Sequence, residues 1–522
     1  MMEWNFSQED LRQMEARGVS QAQVLEQLRL LARPAHFLTL ARACTPGDGI
    51  HRISAKEAET YIALQEQAAW ERRFQNFIPA SGAATRMFQD LYYCRRQYPA
   101  LRRGDLVRAA SQDPVVLDFL TCVDHLHCFA FYEDLSLRMR ADGLSLEECL
   151  TSGGYLGIFE YLLNREHLDY GNLPKGLLKF HAYPEECRTA LEEHLIEAAR
   201  YIRDGDGVCR LHFTVSPEHQ ESFQRLFEKV ELELSRRFNV RLQVAFSLQR
   251  PCTDTIAADL EGRPLRDRDG RLLFRPGGHG ALLPNLDELQ GDLIYIKNID
   301  NVAPDRLKET AVTWKKILGG YLVYLQDQIH GFLREMAPGQ DNPAILVEAA
   351  DFLERILEVQ MPELWEQWPA ARQQEYLIRQ LNRPLRVCGM VKNQGEPGGG
   401  PFWVKGPDGC LSRQIMESAQ VDLSSPDQEG AWEASTFFNP VDLVVAVRDF
   451  QGNPFQLTDF VDPEAVIISR KSNDGQALKS LERPGLWNGA MAHWLTVFVE
   501  VPVTTFNPVK TILDLLRPQH RP

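Results

Sequence analysis

The feature that most constrains the fold is a repeated order of short apolar segments and amphipathic segments between residues 77 and 296. Residues 211–215 have the pattern of a buried strand, and Ser216 with Pro217 then supplies the N-cap and first-turn proline of a helix. Residues 293–296 form a second apolar segment, which follows a helical pattern ended by Gly291. Because such alternation builds parallel sheets covered by helices, we expect an α/β fold with a mixed, mostly parallel sheet.

Helical segments precede and interrupt this predicted core. Ser7, Ser20 and Ser54 stand where helix N-caps are expected, so residues 1–75 are predicted to be a helical N-terminal region. We expect the core over residues 76–325, with a helical insertion at about 90–170. Residues 326–382 are predicted to be a second helical insertion, and 383–522 to complete the core with a strand at 494–502 and a helix at 508–516.

Charge and composition exclude several classes of protein. The formal net charge is −15, the opposite of what a sequence-independent nucleic-acid binder needs. No run of about 18 apolar residues appears, and the N-terminus lacks the pattern of a signal peptide. The ten cysteines include no Cys-x-x-Cys pair, which fits reduced thiols. We therefore expect a cytoplasmic protein whose partners are small molecules, with no nucleic acid and no membrane.

A turn of small residues follows the first predicted strand, in the stretch FIPASGAATRMFQDL that begins at Phe77. Ser81, Gly82, Ala83, Ala84 and Thr85 have little side-chain bulk, so their backbone N–H groups can approach an anion at a helix N-terminus. Arg86 would add a permanent positive charge and a forked donor for phosphate. A tight turn with a surface arginine is the alternative interpretation of the same residues.

Three later segments also contain residues that are suited to binding a ligand. Pro174 and Gly176 flank Lys175, which can act as a point charge on a phosphate, or simply be solvated in a loop. The glycine-rich run 275–280 lets the backbone come close to a ligand, or forms a plain turn. Asp300 follows the strand at 293–296, where ligands of parallel sheets bind and where a carboxylate often holds Mg²⁺. An Asx turn leaving the sheet is the alternative for Asp300.

Taken in order, these segments resemble the nucleotide-sugar pyrophosphorylases, especially the group that uses UTP to make UDP-sugars. The matching segments are Ser81-Gly-Ala-Ala-Thr-Arg-Met87, Pro174-Lys-Gly176, Phe246-Ser-Leu-Gln249, Pro276-Gly-Gly-His-Gly280, Asp300-Asn301, the run 414–420 and the run 437–442. Over nearly all its length the chain also resembles an uncharacterised family, domain of unknown function 4301. That second resemblance includes the tail Thr505-Phe-Asn-Pro-Val-Lys510.

The pyrophosphorylase resemblance implies a nucleotide-diphospho-sugar transferase core, which is Rossmann-like, and a role for each matched residue. Arg86 and Lys175 are implied as the catalytic cations, and Asp300 with Asp442 as the ligands of Mg²⁺. The implied nucleotide-binding residues are Ser81, Gly82, Ala83, Ala84, Thr85, Gln249, Gly277, Gly278, His279 and Gly280, and the implied sugar-binding residues are Glu417, Asn439 and Asn301. This chain departs from the pattern at Ala84, where the loop usually has a glycine, and in the long stretch 87–174 before Lys175.

The implied reaction is transfer of a nucleoside monophosphate, UMP from UTP, to a sugar 1-phosphate with release of pyrophosphate. Two other functions remain open at this point. One is a non-catalytic sensor that binds a nucleotide or a sugar nucleotide. The other is a glycosyltransferase that uses Asp300-Asn301 to hold the metal of a nucleotide-sugar.

Overall fold

A computed structural model of the chain describes residues 4–33, 36–82, 84–337, 343–395, 398–473 and 476–521. The chain divides into two compact units, each described here by itself. Unit 1 comprises Met1–Ala68, Leu248–Ile296 and Lys316–Val501. Unit 2 comprises Ala69–Ser247, Lys297–Lys315 and Pro502–Pro522.

Strands and helices are distributed along the whole chain. The strands are Thr39–Ala43, Thr45–Pro46, Gly49–His51, Phe74–Pro79, Lys179–Ala182, Cys187–Thr189, Val208–Val215, Arg241–Leu248, Thr255–Ile256, Phe274–Arg275, Leu293–Lys297, Leu385–Lys392, Gly400–Lys405, Leu411–Met416, Phe437–Phe438, Asp442–Ala446, Ile467–Asn473, Gln476–Glu482 and Leu495–Glu500. The α-helices are Gln8–Arg17, Gln21–Ala32, Ala55–Trp70, Gln89–Gln97, Arg103–Ala110, Pro114–Asp124, Tyr132–Ala141, Leu146–Ser152, Leu156–Leu163, Ala190–Ala198, Gln220–Phe238, Leu283–Glu288, Asp305–Glu335, Pro343–Arg355, Ala370–Leu381 and Pro426–Glu433.

The main sheet of unit 1 is mixed. Its strand order is Thr45–Pro46, Gly49–His51, Leu495–Glu500, Leu385–Lys392, Asp442–Ala446 and Leu293–Lys297. Leu385–Lys392 pairs in parallel with Leu495–Glu500 and antiparallel with Asp442–Ala446. Nearly every residue of these central strands is buried, as expected where both faces of a sheet are covered.

The N-terminal helices of unit 1 begin at the predicted caps. The Ser7 and Ser20 side chains each accept a hydrogen bond in a capping box, and Gly18 ends the first helix in the left-handed region with φ 70°. The apolar faces of both helices pack on Ile256, Leu272 and Leu481. This burial anchors the two helices, because short helices gain most of their stability from packing.

In unit 2 the strand Phe74–Pro79 pairs in parallel with Val208–Val215. The strand Arg241–Leu248 is the next in the strand order after Val208–Val215. The stretch 90–170 contains α-helices joined by turns, from Gln89–Gln97 to Leu156–Leu163. Parallel strand pairs in both units, surrounded by helices, confirm the expected α/β fold with a mostly parallel sheet. The proposed division of the chain at residues 75, 325 and 382 stays a prediction.

Two local expectations were wrong. The N-terminal 75 residues contain the strands Thr39–Ala43, Thr45–Pro46 and Gly49–His51 in addition to helices. The predicted helix at 508–516 is only a 3-10 turn, Ile512–Leu516. Its first residues are extended instead, because Pro508 bridges to Asn301 and the N–H of Val509 donates to the carbonyl of Asp300 at 3.0 Å.

Candidate active site

Two lysines and one aspartate meet in unit 2. The Lys175 Nζ donates to Oδ2 of Asp300 at 2.7 Å and to the carbonyl of Val509 at 2.6 Å. The Lys510 Nζ approaches the same Asp300 oxygen at 3.4 Å. The side chains of Lys175 and Asp300 are 13% and 11% exposed, whereas that of Lys510 is 45% exposed. The cluster therefore carries one more positive than negative charge, and solvent reaches it from the side of Lys510.

The electrostatics of Asp300 follow from these contacts. Burial by itself would raise the pKa of the Asp300 carboxyl, but the ammonium groups of Lys175 and Lys510 outweigh it and hold that pKa below its usual range. Asp300 is therefore ionised at neutral pH. An ionised, nearly buried carboxylate between two ammonium groups is suited to orient the lysines toward an anion.

Backbone contacts fix Asp300 between two segments. His194 Nε2 lies 3.1 Å from the carbonyl of Ile299, just before Asp300, and can donate to it. Oδ1 of Asn301 accepts a hydrogen bond from the N–H of Asn507 at 2.9 Å. Asn301 is only 1% exposed, so its side chain ties the strand end to the C-terminal segment. Its predicted contact with a sugar stays a prediction.

The small-residue turn lies beside Lys175. The N–H of Lys175 reaches the carbonyl of Gly82 at 3.5 Å, and the N–H of Ala84 donates to the carbonyl of Leu173 at 3.1 Å. A Cβ added at Gly82 would meet open space. Room for a ligand therefore lies above the turn at Gly82, while the N–H of Ala84 is already used within the protein.

The rest of the turn differs from a simple loop that runs into a helix. Ala84 is buried in a 3-10 turn, Ala84–Arg86, and the α-helix begins only at Gln89. Thr85 and Arg86 are exposed, Ser81 is half-buried, and Ala83 lies outside the described residues. Thr85 lines an open groove of about 530 Å³ together with Gln89, Asp90 and Tyr93. The predicted binding roles of these residues stay predictions.

Gly176 is explained by packing. A Cβ at Gly176 would lie 2.7 Å from Cε1 of Phe223, a ring that is fully buried, and 3.3 Å from Cδ1 of Ile299. Only glycine lets the chain pass this close to the helix Gln220–Phe238. The close approach holds Lys175 against the strand end that carries Asp300.

In unit 1 the structure brings together two residues of the predicted nucleotide and sugar contacts. His279 Nε2 lies 3.6 Å from Oε1 of Glu417. The His279 ring stacks on Trp487 with a centroid distance of 4.1 Å, and its Nδ1 accepts from the N–H of Leu486. Nδ1 is therefore used by a backbone donor, and Nε2 is the ring nitrogen that faces the carboxylate.

The glycines around His279 have a structural explanation. A Cβ at Gly277 would lie 2.5 Å from the carbonyl oxygen of Thr253, and one at Gly280 would lie 2.0 Å from that of Pro484. Gly278 has a φ of +73°, in the left-handed region that favours glycine. These residues let the loop pack closely, and their predicted role in binding a base stays a prediction.

The remaining predicted residues are also in unit 1. Gln249 is half-buried at the end of its strand. Oδ1 of Asn439 accepts from the N–H of Val441 at 3.0 Å, and Asp442 is 3% exposed at the start of its strand. A cavity of about 260 Å³ is lined by the chain neighbours of two predicted sugar residues, Ser418 and Phe438.

A metal site was predicted from Asp300 and Asp442. Among the described residues, no group of three or more His, Cys, Asp or Glu side chains could hold a metal ion by itself. Asp300 alone still fits Mg²⁺, which binds through one or two carboxylates together with water and substrate phosphate. The pairing with Asp442 stays a prediction, because the two residues belong to different units.

Sequence reasoning missed Lys510 as a site residue. Its Lys-Thr sequence lacks the glycine loop of a P-loop, and the helix predicted there would not have placed it at Asp300. A signal was nevertheless present, because Lys510 ends the tail segment that matches the uncharacterised family.

Fold and site together define a mixed α/β protein with a lysine-rich site beside the end of a central strand. The chain belongs to the family described as Domain of unknown function (DUF4301), whose model matches residues 7–521. Among curated proteins, no sequence matches the chain. Within the described residues, no helix is long and apolar enough to cross a membrane.

Two solved structures are similar to the chain at low sequence identity. The UDP-N-acetylglucosamine pyrophosphorylase of Trypanosoma brucei, in complex with an inhibitor, is 13% identical, with a TM-score of 0.49 over 98% of this chain and 79% of that one. A variant of the UDP-glucose pyrophosphorylase of Leishmania major, in complex with UDP-glucose, is also 13% identical, with a TM-score of 0.44 over 98% of this chain and 78% of that one.

Proposed function

We propose that the protein is a sugar-1-phosphate nucleotidyltransferase, which transfers UMP from UTP to a sugar 1-phosphate with Mg²⁺ and releases pyrophosphate. The observation that carries this proposal is the cluster of Lys175, Lys510 and Asp300 beside the turn at Gly82. Its excess positive charge is neutralised by a substrate phosphate. The order of the matching motifs along the chain supports the same reaction.

This reaction needs positioning and charge neutralisation more than acid–base catalysis. An oxygen of the sugar 1-phosphate bonds to the α-phosphorus of UTP, and the bond from that phosphorus to the bridging oxygen of pyrophosphate breaks. The attacking oxygen is already anionic, so no proton has to be removed. Lys175 and Lys510 are the residues that we assign to the phosphate oxygens on which negative charge accumulates.

Asp300 is the residue that we assign to Mg²⁺. Both ammonium contacts are to its Oδ2. Asp300 would hold the ion together with water and the substrate phosphates. Mg²⁺ supplies further neutralisation of phosphate charge when it is bound. Asp300 also orients Lys175, so it serves the site both as a ligand and as an ion-pair partner.

The test is release of pyrophosphate from UTP with Mg²⁺ and a panel of sugar 1-phosphates. Wild-type protein should turn over, and Asp300→Ala should lose the Mg²⁺-dependent activity while keeping its circular dichroism spectrum. Asp427→Ala is the matched control, because Asp427 is an exposed carboxylate on the helix Pro426–Glu433 of unit 1. Full turnover in Asp300→Ala would remove Asp300 from the mechanism.

The same samples distinguish the other functions. UDP released from a UDP-sugar, with no pyrophosphate formed from UTP, would identify a glycosyltransferase. Tight binding of UTP without turnover of any sugar 1-phosphate would identify a sensor. Either result would overturn the proposed reaction.

A further inference from the structure

A buried histidine, His520, anchors the C-terminal segment that carries Lys510. His520 is 2% exposed, and its Nδ1 lies 3.0 Å from Nε2 of His181. The N–H of His520 donates to the carbonyl of Arg517 at 3.0 Å, and the N–H of Arg517 donates to that of Asp514 at 3.0 Å. Oδ2 of Asp514 accepts from the N–H of Lys510 at 2.7 Å, so His520 is linked through these bonds to the backbone of Lys510.

The chain of contacts continues beyond His181 to a buried ion pair. His181 Nδ1 lies 2.7 Å from Oε1 of Glu193, and the Lys308 ammonium donates to Oε2 of the same carboxylate at 2.5 Å. His181, Glu193 and Lys308 are each 0% exposed. A carboxylate this deep is stable only when its oxygens are paired, so the hydrogen bonds leave Glu193 little freedom to move.

The helix Ala190–Ala198 contacts both this series of buried side chains and the segment that carries Asp300. Glu193 and His194 are neighbours on Ala190–Ala198; Glu193 contacts His181, and His194 reaches the carbonyl of Ile299 beside Asp300. His181 is on the strand Lys179–Ala182, directly after the turn that carries Lys175. The segments that carry Lys175, Asp300 and Lys510 are therefore each tied to this helix.

The pKa shifts of His520 and Glu193 agree with a role in positioning. Burial lowers the pKa of His520 to about 3, with smaller contributions from the nearby His181 and Arg517. His520 is therefore neutral at physiological pH and acts as a hydrogen-bonding link rather than as a charge. Burial alone would raise the pKa of Glu193, but Lys308 and His181 hold it far below its usual range, so Glu193 stays ionised.

We infer that the buried chain His520–His181–Glu193 is a positioning device, which holds the C-terminal segment so that Lys510 and the Val509 carbonyl lie at the Asp300–Lys175 pair. The catalytic consequence rests on the proposed function, whereas the positioning of Lys510 does not. His520 acts through the hydrogen bonds that link it to Arg517, Asp514 and the N–H of Lys510, so it is a positioning residue.

The test measures the chemical reactivity of the Lys510 amine. In wild-type protein the contact with Asp300 should slow acylation of Lys510 by an amine-reactive ester, followed by mass spectrometry. In His520→Ala the acylation rate of Lys510 should rise severalfold, while that of the exposed Lys471 stays constant. Turnover should fall by about tenfold or more with little change in KM for UTP, because small misplacements of a catalytic group reduce the rate strongly.

Tyr183→Phe is the matched control. It removes the bond from the Tyr183 hydroxyl to Oε1 of Glu193, at 2.8 Å, but leaves the histidine chain in place. It should therefore leave Lys510 reactivity unchanged. His520→Gln is the second variant if His520→Ala does not fold, since its amide can replace the hydrogen bond of the ring to His181. An intermediate rise in Lys510 reactivity is expected for it.

The outcomes separate this inference from the proposed reaction. Unchanged Lys510 reactivity in a folded His520 variant would overturn the positioning role, whatever the turnover. A rise in Lys510 reactivity in a protein that never releases pyrophosphate would support the positioning role and overturn the proposed function. Free imidazole that restores turnover and Lys510 protection to His520→Ala would support both.

Discussion

At the scale of single residues, two glycines beside the site have opposite surroundings. Gly176 lies against the buried ring of Phe223, whereas a Cβ at Gly82 would meet open space. In the sequence both glycines belong to segments that are predicted to bind phosphate. Their different roles depend on which side chains the fold places next to each.

We expect Gly176→Ala to destabilise the protein and Gly82→Ala to leave its stability nearly unchanged. The added methyl at Gly176 would lie 2.7 Å from Phe223, and such overpacking costs about 1–3 kcal/mol. Urea unfolding of the two variants measures the difference. Equal free energies of unfolding for Gly176→Ala and wild type would show that the Phe223 ring moves without cost.

Lys510 gives the most direct test of the site at the residue scale. If it stabilises phosphate charge in the transition state, Lys510→Met should lower kcat by about 100-fold or more, as removal of one such group does in other enzymes. Lys510→Arg should retain part of the rate, because it keeps the positive charge.

Lys471→Met is the comparison for Lys510, since Lys471 is exposed and pairs with Glu482 on a hairpin of unit 1. It should keep wild-type turnover. A Lys510→Met variant with wild-type kcat would show that catalysis needs only Asp300 and Lys175 of the three residues in the cluster.

At the scale of elements, sequence patterns located helices well where local chemistry decides them. The capping boxes at Ser7 and Ser20 and the left-handed Gly18 are local devices, and the structure contains all three. Elements decided by distant contacts were missed. Residues 508–510 are extended because they pair with Asn301 and Asp300, which sequence periodicity cannot reveal.

The first helix allows a pH prediction. Arg266 hydrogen-bonds both oxygens of Asp10, at 2.7 and 2.9 Å, and this contact outweighs burial and lowers the pKa of the Asp10 carboxyl to about 2. A carboxyl with a depressed pKa stabilises the folded state above its unfolded value, about 3.9, and that stabilisation is lost as the pH falls toward 2.

We therefore expect the free energy of unfolding to fall between about pH 4 and pH 2 in wild type, and to fall less steeply in Arg266→Met. Urea unfolding at several pH values measures both slopes. Arg271→Met, at a nearby exposed arginine in the same loop, should keep the wild-type slope. Identical slopes in wild type and Arg266→Met would show that Asp10 titrates alike in the folded and unfolded chain.

At the scale of the whole molecule, all ten cysteines are free thiols. Of these only Cys410 is exposed, while Cys44, Cys94, Cys122, Cys209 and Cys388 are buried. We expect a thiol reagent to modify Cys410 first in the native protein, and to reach all ten cysteines only in denaturant. Mass spectrometry identifies the modified positions, and early labelling of Cys388 would contradict the core described here. A reducing agent should leave the melting temperature unchanged.

The sequence by itself determined the features that depend on near neighbours in the chain. The strand–helix alternation indicated an α/β fold. The turn of small residues at 81–85, the segment Pro174-Lys-Gly176 and the position of Asp300 after a strand indicated a site. Each of these signals arises within a few residues, where propensity, capping and periodicity act.

Only the tertiary structure decided the contacts between distant positions of the chain. Lys175 and Asp300 are 125 positions apart, Lys510 and Asp300 are 210 apart, and His181 and His520 are 339 apart. No local pattern specifies such pairs, because they form only when burial of the surrounding apolar residues brings their segments together. The sequence therefore supplied the charged groups of the site, and the packing of unit 2 selected which of them meet.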